Sequence, residues 1–219
     1  MYLHEFTKSQ LRELLSDAAA KLAMVKETVQ NIPEAHIPFA RLQEIAFLEQ
    51  RLREYRAELA RRWTSTTPVS VFYSYSHHDY DLLVELDEGL SGLKGEGLIE
   101  IFWDRRIAAG QDWHTEITEE LRAADIILAL VSPDFLASRY CGQVELPAAM
   151  ALHNDGLARV VPVIMRHCAW QQTPLGRLQS LPSGGRPVMD WPDSASVCAK
   201  IADHIRIVVN QVRQTNPVG

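Results

Sequence analysis

The stretch that decides the fold is "DIILALVSPDFLASRYCGQVEL", Asp125 to Leu146. It opens on "DIILALVS", a nearly continuous apolar run of the kind found in parallel strands that are buried on both faces. A helix is predicted near Leu146, because Pro147 is best tolerated in the first turn of a helix. Glu145 should then lie at the mouth of this helix and face a cleft.

Strands and helices alternate on both sides of this stretch. Hydrophobic periodicity predicts strands at 69–76, 98–104, 125–132, 158–165 and 186–191, and helices at 81–95, 113–124, 147–154 and 195–212. The order predicts an α/β fold of the flavodoxin-like type, with a five-stranded parallel sheet and helices on both faces. Ligands of such sheets bind at the carboxyl ends of the strands.

The first 63 residues have a different character, because they carry two heptad stripes separated by Pro33 and Pro38. The stripes comprise Leu11, Leu15, Ala18, Leu22, Val25, Val29 and Ile32, and then Ile45, Leu48, Leu52, Tyr55 and Leu59. Thr7 and Gln10 can form a capping box at the start of the first helix. We expect an antiparallel helical hairpin, which either packs on the main domain or serves in self-association.

The sequence therefore predicts four parts. These are the helical hairpin at 1–63, a polar linker at 64–68, the α/β domain at 69–213 and a tail at 214–219.

Composition and charge exclude several classes of protein. The net charge of −6 divides into +1 for residues 1–63 and −7 for the remainder, so an acidic main domain without a basic stripe argues against a nucleic-acid partner. No window is apolar enough to span a membrane, and the first residues do not read as a signal peptide. Three cysteines without metal-ligand spacing suit a reducing compartment, so a cytoplasmic location is expected.

Several local patterns do not indicate a functional site. "HHD", His77 to Asp79, does not predict a metal site, because adjacent residues rarely point at one ion. Ser74 and Ser76 lie near histidines but lack the strand-to-helix GxSxG setting of a nucleophile. "GLKGEG" precedes a strand and reads as a helix stop, not as a dinucleotide-binding loop.

Read together, the loops at the strand ends carry a specific resemblance. "VFYSYSHHD", "FWDRRIAAGQDWHTEI", "ADIILALVSPDFLASRYCGQVEL" and "VPVIMRHCAW" resemble, in this order, a Toll/interleukin-1 receptor (TIR) domain of the bacterial type. The resemblance covers residues 68–213 and not the hairpin. It implies either an enzyme that cleaves the nicotinamide–ribose bond of NAD⁺ or a module that only binds other TIR domains.

In the enzymatic members the catalytic glutamate follows the third strand, and the matching residue is Glu145. One carboxylate is chemically sufficient, because nicotinamide leaves as a neutral ring and needs no general acid. NAD⁺ is then a substrate, and no separate cofactor is expected. The products would be nicotinamide and either ADP-ribose or its cyclic form, and the sequence leaves these two open. A glutamate at this position could also be an ordinary solvated side chain.

The resemblance also implies contacts around Glu145. The loop after the second strand, the BB loop, runs from Asp104 to Trp113 and is expected to cover the nucleotide and mediate self-assembly. Arg105 and Arg106 could meet phosphates or lie on plain surface, and Trp113 could stack on the substrate or belong to the core. Further expected contacts are Tyr75, Ser76, His77, Tyr140 and Cys141. Tyr75 could instead lie in the core, because it alternates with Tyr73.

Two departures from the family pattern bear on the enzymatic reading. Many enzymatic members carry an aromatic residue four positions before the glutamate, whereas this chain has Cys141 there and Tyr140 one residue earlier. Ala108 and Ala109 occupy BB-loop positions where some members are acidic.

Three functions follow as hypotheses. The first is an NAD⁺-cleaving enzyme activated by self-association through the hairpin and the BB loop, in the manner of bacterial defence effectors. The second is a non-catalytic TIR interaction module, either an adaptor that engages other TIR domains or a nucleotide sensor. An activating partner protein or ligand is expected to supply the trigger. The third, a phosphoacceptor receiver domain, is disfavoured because the third strand is followed by Ser132 and Pro133, not by the acidic site such domains need.

Overall fold

The computed structural model describes residues 3–33, 36–61, 67–103 and 113–215. The chain divides into two compact units, an N-terminal helical unit within Met1–Thr64 and an α/β unit within Ser65–Pro217. Each unit has its own packed interior and is described separately.

The helical unit consists of α1 (Lys8–Val29) and α2 (Phe39–Arg61), preceded by a 3₁₀ turn at Leu3–Glu5. The predicted capping box at the start of α1 is confirmed. The Gln10 amide donates to Thr7 Oγ1 at 3.1 Å, and the Thr7 amide donates to Gln10 Oε1 at 2.8 Å. Two amides that the helix itself leaves unpaired are thereby satisfied.

The two helices pack through the predicted stripes. The buried members are Leu11, Leu15, Ala18, Val25, Val29, Leu48, Leu52 and Tyr55. Lys26 Nζ lies 2.8 Å from Glu49 Oε1, and the groove between the helices brings Ala19, at the middle of α1, together with Arg56 near the end of α2. The helices are therefore antiparallel, as expected. Ile32 departs from the prediction, because it lies beyond the end of α1 and is exposed.

The α/β unit places its helices and strands close to the predicted positions. In chain order they are β1 (Val69–Ser74), α3 (Tyr80–Gly89), α4 (Ser91–Gly95), β2 (Ile99–Phe102), α5 (Trp113–Ala123), β3 (Ile126–Val131), α6 (Pro133–Ala137), α7 (Leu146–Asn154), β4 (Arg159–Ile164) and α8 (Ser194–Thr215). Single 3₁₀ turns lie at His77–Asp79, Trp170–Gln172, Pro174–Arg177 and Val188–Asp190.

The sheet of the described residues has four strands, all parallel, in the order β2-β1-β3-β4. This is the order of the first four strands of a flavodoxin-like sheet. Every residue of β3 is buried, as the apolar run predicted. The α/β class and the parallel sheet are confirmed.

The prediction of a fifth strand at 186–191 is wrong. That segment contains the 3₁₀ turn Val188–Asp190, and among the described residues Leu181 alone extends the sheet beyond β4, through a single bridge to Val163. Pro182 directly follows Leu181 and has no backbone N–H to donate to a neighbouring strand. Pro187, directly before the turn, lacks this donor as well. Apolar composition favoured a strand at 186–191, but the flanking prolines prevent regular pairing.

Alternation along β1 assigns helices to the two faces of the sheet. The Tyr73 hydroxyl donates to Asp87 Oδ1 of α3 at 3.2 Å, whereas Phe72 packs in one cluster with Ile117 and other residues of α5 and α7. Successive strand residues face opposite ways, so α3 and α5 cover opposite faces. Ser74 follows on the face of Phe72 and is thereby directed toward α7.

Candidate functional site

A cavity of about 320 Å³ lies at the carboxyl end of β1, beside the segment that joins α6 to α7. Its walls bring together six of the predicted site residues, which are Tyr75, Ser76, His77, Tyr140, Cys141 and Glu145. Asp134 at the start of α6 and Ile117 of α5 complete part of the lining. The cavity therefore occupies the sheet edge where α/β folds bind ligands.

Glu145 is a buried carboxylate, with 5% of its surface exposed. The Ser74 hydroxyl donates a short hydrogen bond to Glu145 Oε2, and Ser74 is itself buried. Burying a carboxylate is costly unless hydrogen bonds compensate, so the position of Glu145 is not that of a solvated surface glutamate. The sequence placed Glu145 at this edge but gave no sign of its partner.

The backbone around Glu145 differs from the expected helix mouth. The α-helix α7 begins at Leu146 as predicted, but Cys141–Glu145 forms a π-helical turn directly before it. The Leu146 amide donates to the Cys141 carbonyl, five residues back. Pro147 has no amide to continue an α-helical ladder at this point, which favours a local irregularity. Glu145 is thus inside a continuous helical segment.

The π turn decides the position of Tyr140. A π-helical hydrogen bond spans five residues, so residue i−5 comes to lie roughly above residue i, as residue i−4 does in an α-helix. Tyr140, five residues before Glu145, accordingly lines the same cavity. Burial raises the pKa of the Tyr140 phenol, the nearby charge of Glu145 raises it further, and a hydrogen bond with Thr118 opposes both.

Cys141 joins the π turn to the end of β1. Its Sγ donates to the Tyr75 carbonyl at 3.1 Å, and its amide donates to Ser138 Oγ at 3.1 Å. Cys141 is 5% exposed. The thiol therefore connects the π turn to the loop after β1. The substrate contact that the sequence predicts for Cys141 stays a prediction.

The loop after β1 also lines the cavity. Tyr75 is buried, and its ring meets that of His77 edge to face at 5.7 Å between centroids. Ser76 is buried and caps the 3₁₀ turn by accepting from the His78 amide at 3.4 Å. His77 and His78 are exposed at the cavity mouth. Tyr75 is thus both buried and part of the cavity wall.

Sequence reasoning missed a charged network beside the cavity. Asp79, 2% exposed, accepts from the Ser132 hydroxyl at 2.5 Å. Arg166, after the end of β4, forms ion pairs with Asp79 at 2.9 Å and with Asp134. The Arg166 Nε–H is poorly aligned with Asp79 Oδ1, so that contact is an ion pair without a good hydrogen bond. The hydrogen bond with Asp134 raises the pKa of Arg166, and the charge of Asp79 adds to it.

The sequence signal for this network is a charged residue shortly after each of three strands. Asp79 follows β1, Asp134 follows β3 and Arg166 follows β4. The effect of the network is structural, because it ties the loop after β1 to the segments that follow β3 and β4. One side of the cavity is thereby held by ion pairs around the buried Asp79.

The BB-loop residues Asp104, Arg105 and Arg106 lie outside the described residues. Trp113 is the first residue of α5, and its predicted contact with the substrate stays a prediction. Within residues 3–33, 36–61, 67–103 and 113–215, no group of three or more His, Cys, Asp or Glu side chains could hold a metal ion. The helices of the same residues include none long and apolar enough to cross a bilayer.

Comparison with known proteins assigns the family. A model of the TIR domain matches residues 71–195, which is more than half of the 219 residues. The chain therefore belongs to the TIR domain family, as the resemblance predicted. TIR domains commonly self-associate or bind other TIR proteins, and some members of the family have NADase activity.

The chain is also similar to the uncharacterized protein y4lF of Sinorhizobium fredii (strain NBRC 101917 / NGR234). The two are 44% identical over 146 residues. This stretch is 67% of the present chain and 45% of the length of y4lF, so the chain matches less than half of that relative.

Proposed function

We propose that the chain is a TIR-family NAD⁺ glycohydrolase that cleaves the nicotinamide–ribose bond and becomes active on self-association. The observation that carries this proposal is the buried carboxylate of Glu145 in the wall of a cavity at the carboxyl edge of the sheet. Perturbed or specifically paired carboxylates in a cleft are typical of functional sites.

The chemistry requires little beyond this carboxylate. When the bond between nicotinamide N1 and ribose C1′ breaks, both electrons pass to the ring nitrogen, and nicotinamide departs neutral. The positive charge that develops at C1′ and the ring oxygen is stabilised by the Glu145 carboxylate. Water then attacks C1′ and loses a proton to Glu145 or to solvent, which gives ADP-ribose. If adenine N1 attacks instead, the product is cyclic.

The other cavity residues have assignable roles in this proposal. Tyr140 and Tyr75 offer flat apolar surfaces to the nicotinamide and its ribose, and His77 and Ser76 lie at the side where the dinucleotide would leave the cavity. A volume of about 320 Å³ suits nicotinamide with its ribose and leaves the rest of the dinucleotide outside. That remainder is assigned to the BB loop, with Arg105 and Arg106 near the phosphates.

Self-association through the hairpin is supported by its exposed apolar side chains. Phe39 is 72% exposed, Met24 68% and Phe47 62%, which is unusual for large apolar residues on helices that already bury a stripe of their own. A groove between α1 and α2 has a floor of small and apolar residues and charged residues around it; the lining comprises Ala19, Leu22, Ala23 and Leu52 together with Lys26, Glu49, Arg53 and Arg56. These surfaces suit helix packing with a second copy, and we assign the BB loop as the other contact.

The test is nicotinamide release from NAD⁺ by the full chain over a wide range of protein concentrations. We expect release per protein molecule to rise with concentration in the wild type and to be abolished in Glu145→Gln, which keeps the side-chain size. The double variant Phe39→Ser/Phe47→Ser should need a higher protein concentration to reach the same release per protein molecule. Chromatography of the products separates ADP-ribose from the cyclic form.

Full activity in Glu145→Gln would disprove the catalytic role. No release at any concentration, with oligomers confirmed by light scattering, would point to the non-catalytic adaptor. In that case BB-loop changes such as Trp113→Ala should still abolish assembly, and Glu145→Gln should leave it intact.

A further inference from the structure

Two consecutive residues at the end of β1 hold the π turn at two points. The Ser74 hydroxyl donates to Glu145 at one end of the turn, and the Tyr75 carbonyl accepts from the Cys141 thiol at the other. We propose that Ser74 is a positioning residue, which fixes the Glu145 carboxylate in its reactive orientation and favours its ionised form. This inference rests on the proposed function for its kinetic consequences.

The position of Ser74 follows from the strand. It is the last residue of β1 and faces the same way as Phe72, so its side chain meets Glu145, the residue directly before α7. Ser74 is 2% exposed and Glu145 is 5% exposed. Water therefore has little access to replace the serine hydroxyl, and an alanine would leave Glu145 Oε2 without this donor.

A donor that bonds a carboxylate stabilises the ionised form over the protonated form. Other titratable groups line the same cavity. On the helical segment of Glu145 these are Tyr140 and Cys141, on the turn after β1 His77 and His78, and on α6 Asp134, which is paired with Arg166. Since these groups are unchanged when only Ser74 is replaced, the effect of the hydroxyl can be measured separately.

The same strand provides a matched control. Ser70, on the same face near the other end of β1, donates to Asp125 Oδ2 at 2.7 Å, and Asp125 is 2% exposed. Ser70→Ala thus removes a serine–carboxylate hydrogen bond of the same kind, far from the cavity. Any effect that arises merely from weakening the strand should appear in both variants.

The experiment compares Ser74→Ala, Ser70→Ala and the wild type in NAD⁺ turnover as a function of pH. For Ser74→Ala we expect kcat to fall about 10- to 100-fold with little change in KM, because one charge-assisted hydrogen bond is lost. The acidic limb of its kcat/KM profile should move to higher pH by roughly one unit. Ser70→Ala should keep the wild-type kcat and acidic limb.

A second measurement does not depend on turnover. In ¹³C-glutamate-labelled protein, the signal that is lost in Glu145→Gln identifies this carboxyl, and its titration midpoint should lie higher in Ser74→Ala than in wild type. If the wild type releases no nicotinamide, the proposed function fails, and the midpoint alone decides the role of Ser74. If Ser74→Ala does not fold, Ser74→Cys, with a weaker donor of similar size, should shift the midpoint in the same direction. An unchanged midpoint and acidic limb, or equal effects in the Ser70 variant, would overturn the inference.

Discussion

The π turn makes a sharp prediction at Gly142. A Cβ added to this glycine would lie 2.9 Å from the Leu136 carbonyl oxygen, closer than side-chain carbons come to backbone atoms in ordinary packing. The carbonyl cannot easily retreat, because Leu136 belongs to α6, whose start is capped by a 3.0 Å hydrogen bond from the Phe135 amide to Ser132 Oγ. Gly142→Ala must therefore displace the π turn or α6.

The expected magnitude follows from the cost of overpacking. Inserting one methyl group into a tightly packed site typically costs about 1–3 kcal/mol, which lowers the melting temperature of a unit of this size by roughly 2 to 12 °C. The same displacement should move Tyr140 relative to Glu145, so NAD⁺ cleavage should fall more steeply than stability alone explains.

Gly92 is the matched control, because a Cβ there meets nothing within 4 Å. It lies in α4 on the exposed surface, and Gly92→Ala should stabilise the protein by about 0.5–1 kcal/mol through helix propensity. Denaturant unfolding of both variants measures the difference. If Gly142→Ala were as stable as Gly92→Ala, the close approach of the π turn to α6 would be refuted.

Two further predictions concern groups outside the reaction. Arg166→Met should destabilise the protein by about 1–3 kcal/mol, because the buried Asp79 loses its counter-charge, whereas Arg206→Met, at an exposed ion pair with Glu96, should have little effect in the same unfolding assay. Burial, and then the charges of nearby arginines, lower the pKa of His153, whose Nδ1 accepts from the Val160 amide at 3.2 Å. In the unfolded chain His153 binds a proton near pH 6.5, whereas in the folded chain it binds one only at lower pH. The free energy of unfolding should therefore fall as the pH drops below about 6.5. His153→Gln should flatten this part of the urea-midpoint profile between pH 7 and 5, and an unchanged profile would contradict the assignment.

The sequence was most informative where a single physical constraint dominates. The apolar run of β3 predicted a strand covered on both faces, and the Thr7–Gln10 pair predicted the start of α1. Both patterns are local and have few alternatives. The failed fifth strand shows the reverse case, because apolar residues at 186–191 suggested a strand while Pro182 and Pro187 limited the pairing to one bridge at Leu181.

The candidate site was predictable in its location but not in its contacts. The rule that ligands bind at the carboxyl edge of the sheet, together with the family resemblance, predicts one site for Glu145 and Tyr75, and both residues line the same cavity. The sequence around Ser74 lacks the GxSxG turn of a nucleophile and carries no other signature of a site residue. The hydrogen bond of Ser74 to Glu145 joins residues far apart in sequence, which no local pattern reveals. The same is true of Arg166 and Asp79.

The spacing of Tyr140 connects these observations. In the sequence, an aromatic residue five positions before Glu145 was a departure from a family pattern of four, and an α-helix would have turned it away from the cavity. The π turn at Cys141–Glu145 accommodates the additional residue, since its hydrogen bond spans five positions. Pro147 has no backbone N–H, so the helix lacks one hydrogen bond beside the turn. Gly142 has no Cβ, which permits the close approach to α6 that the wider turn requires. The extra residue, the proline and the glycine are therefore parts of one local solution that keeps Tyr140 and Glu145 on the same wall.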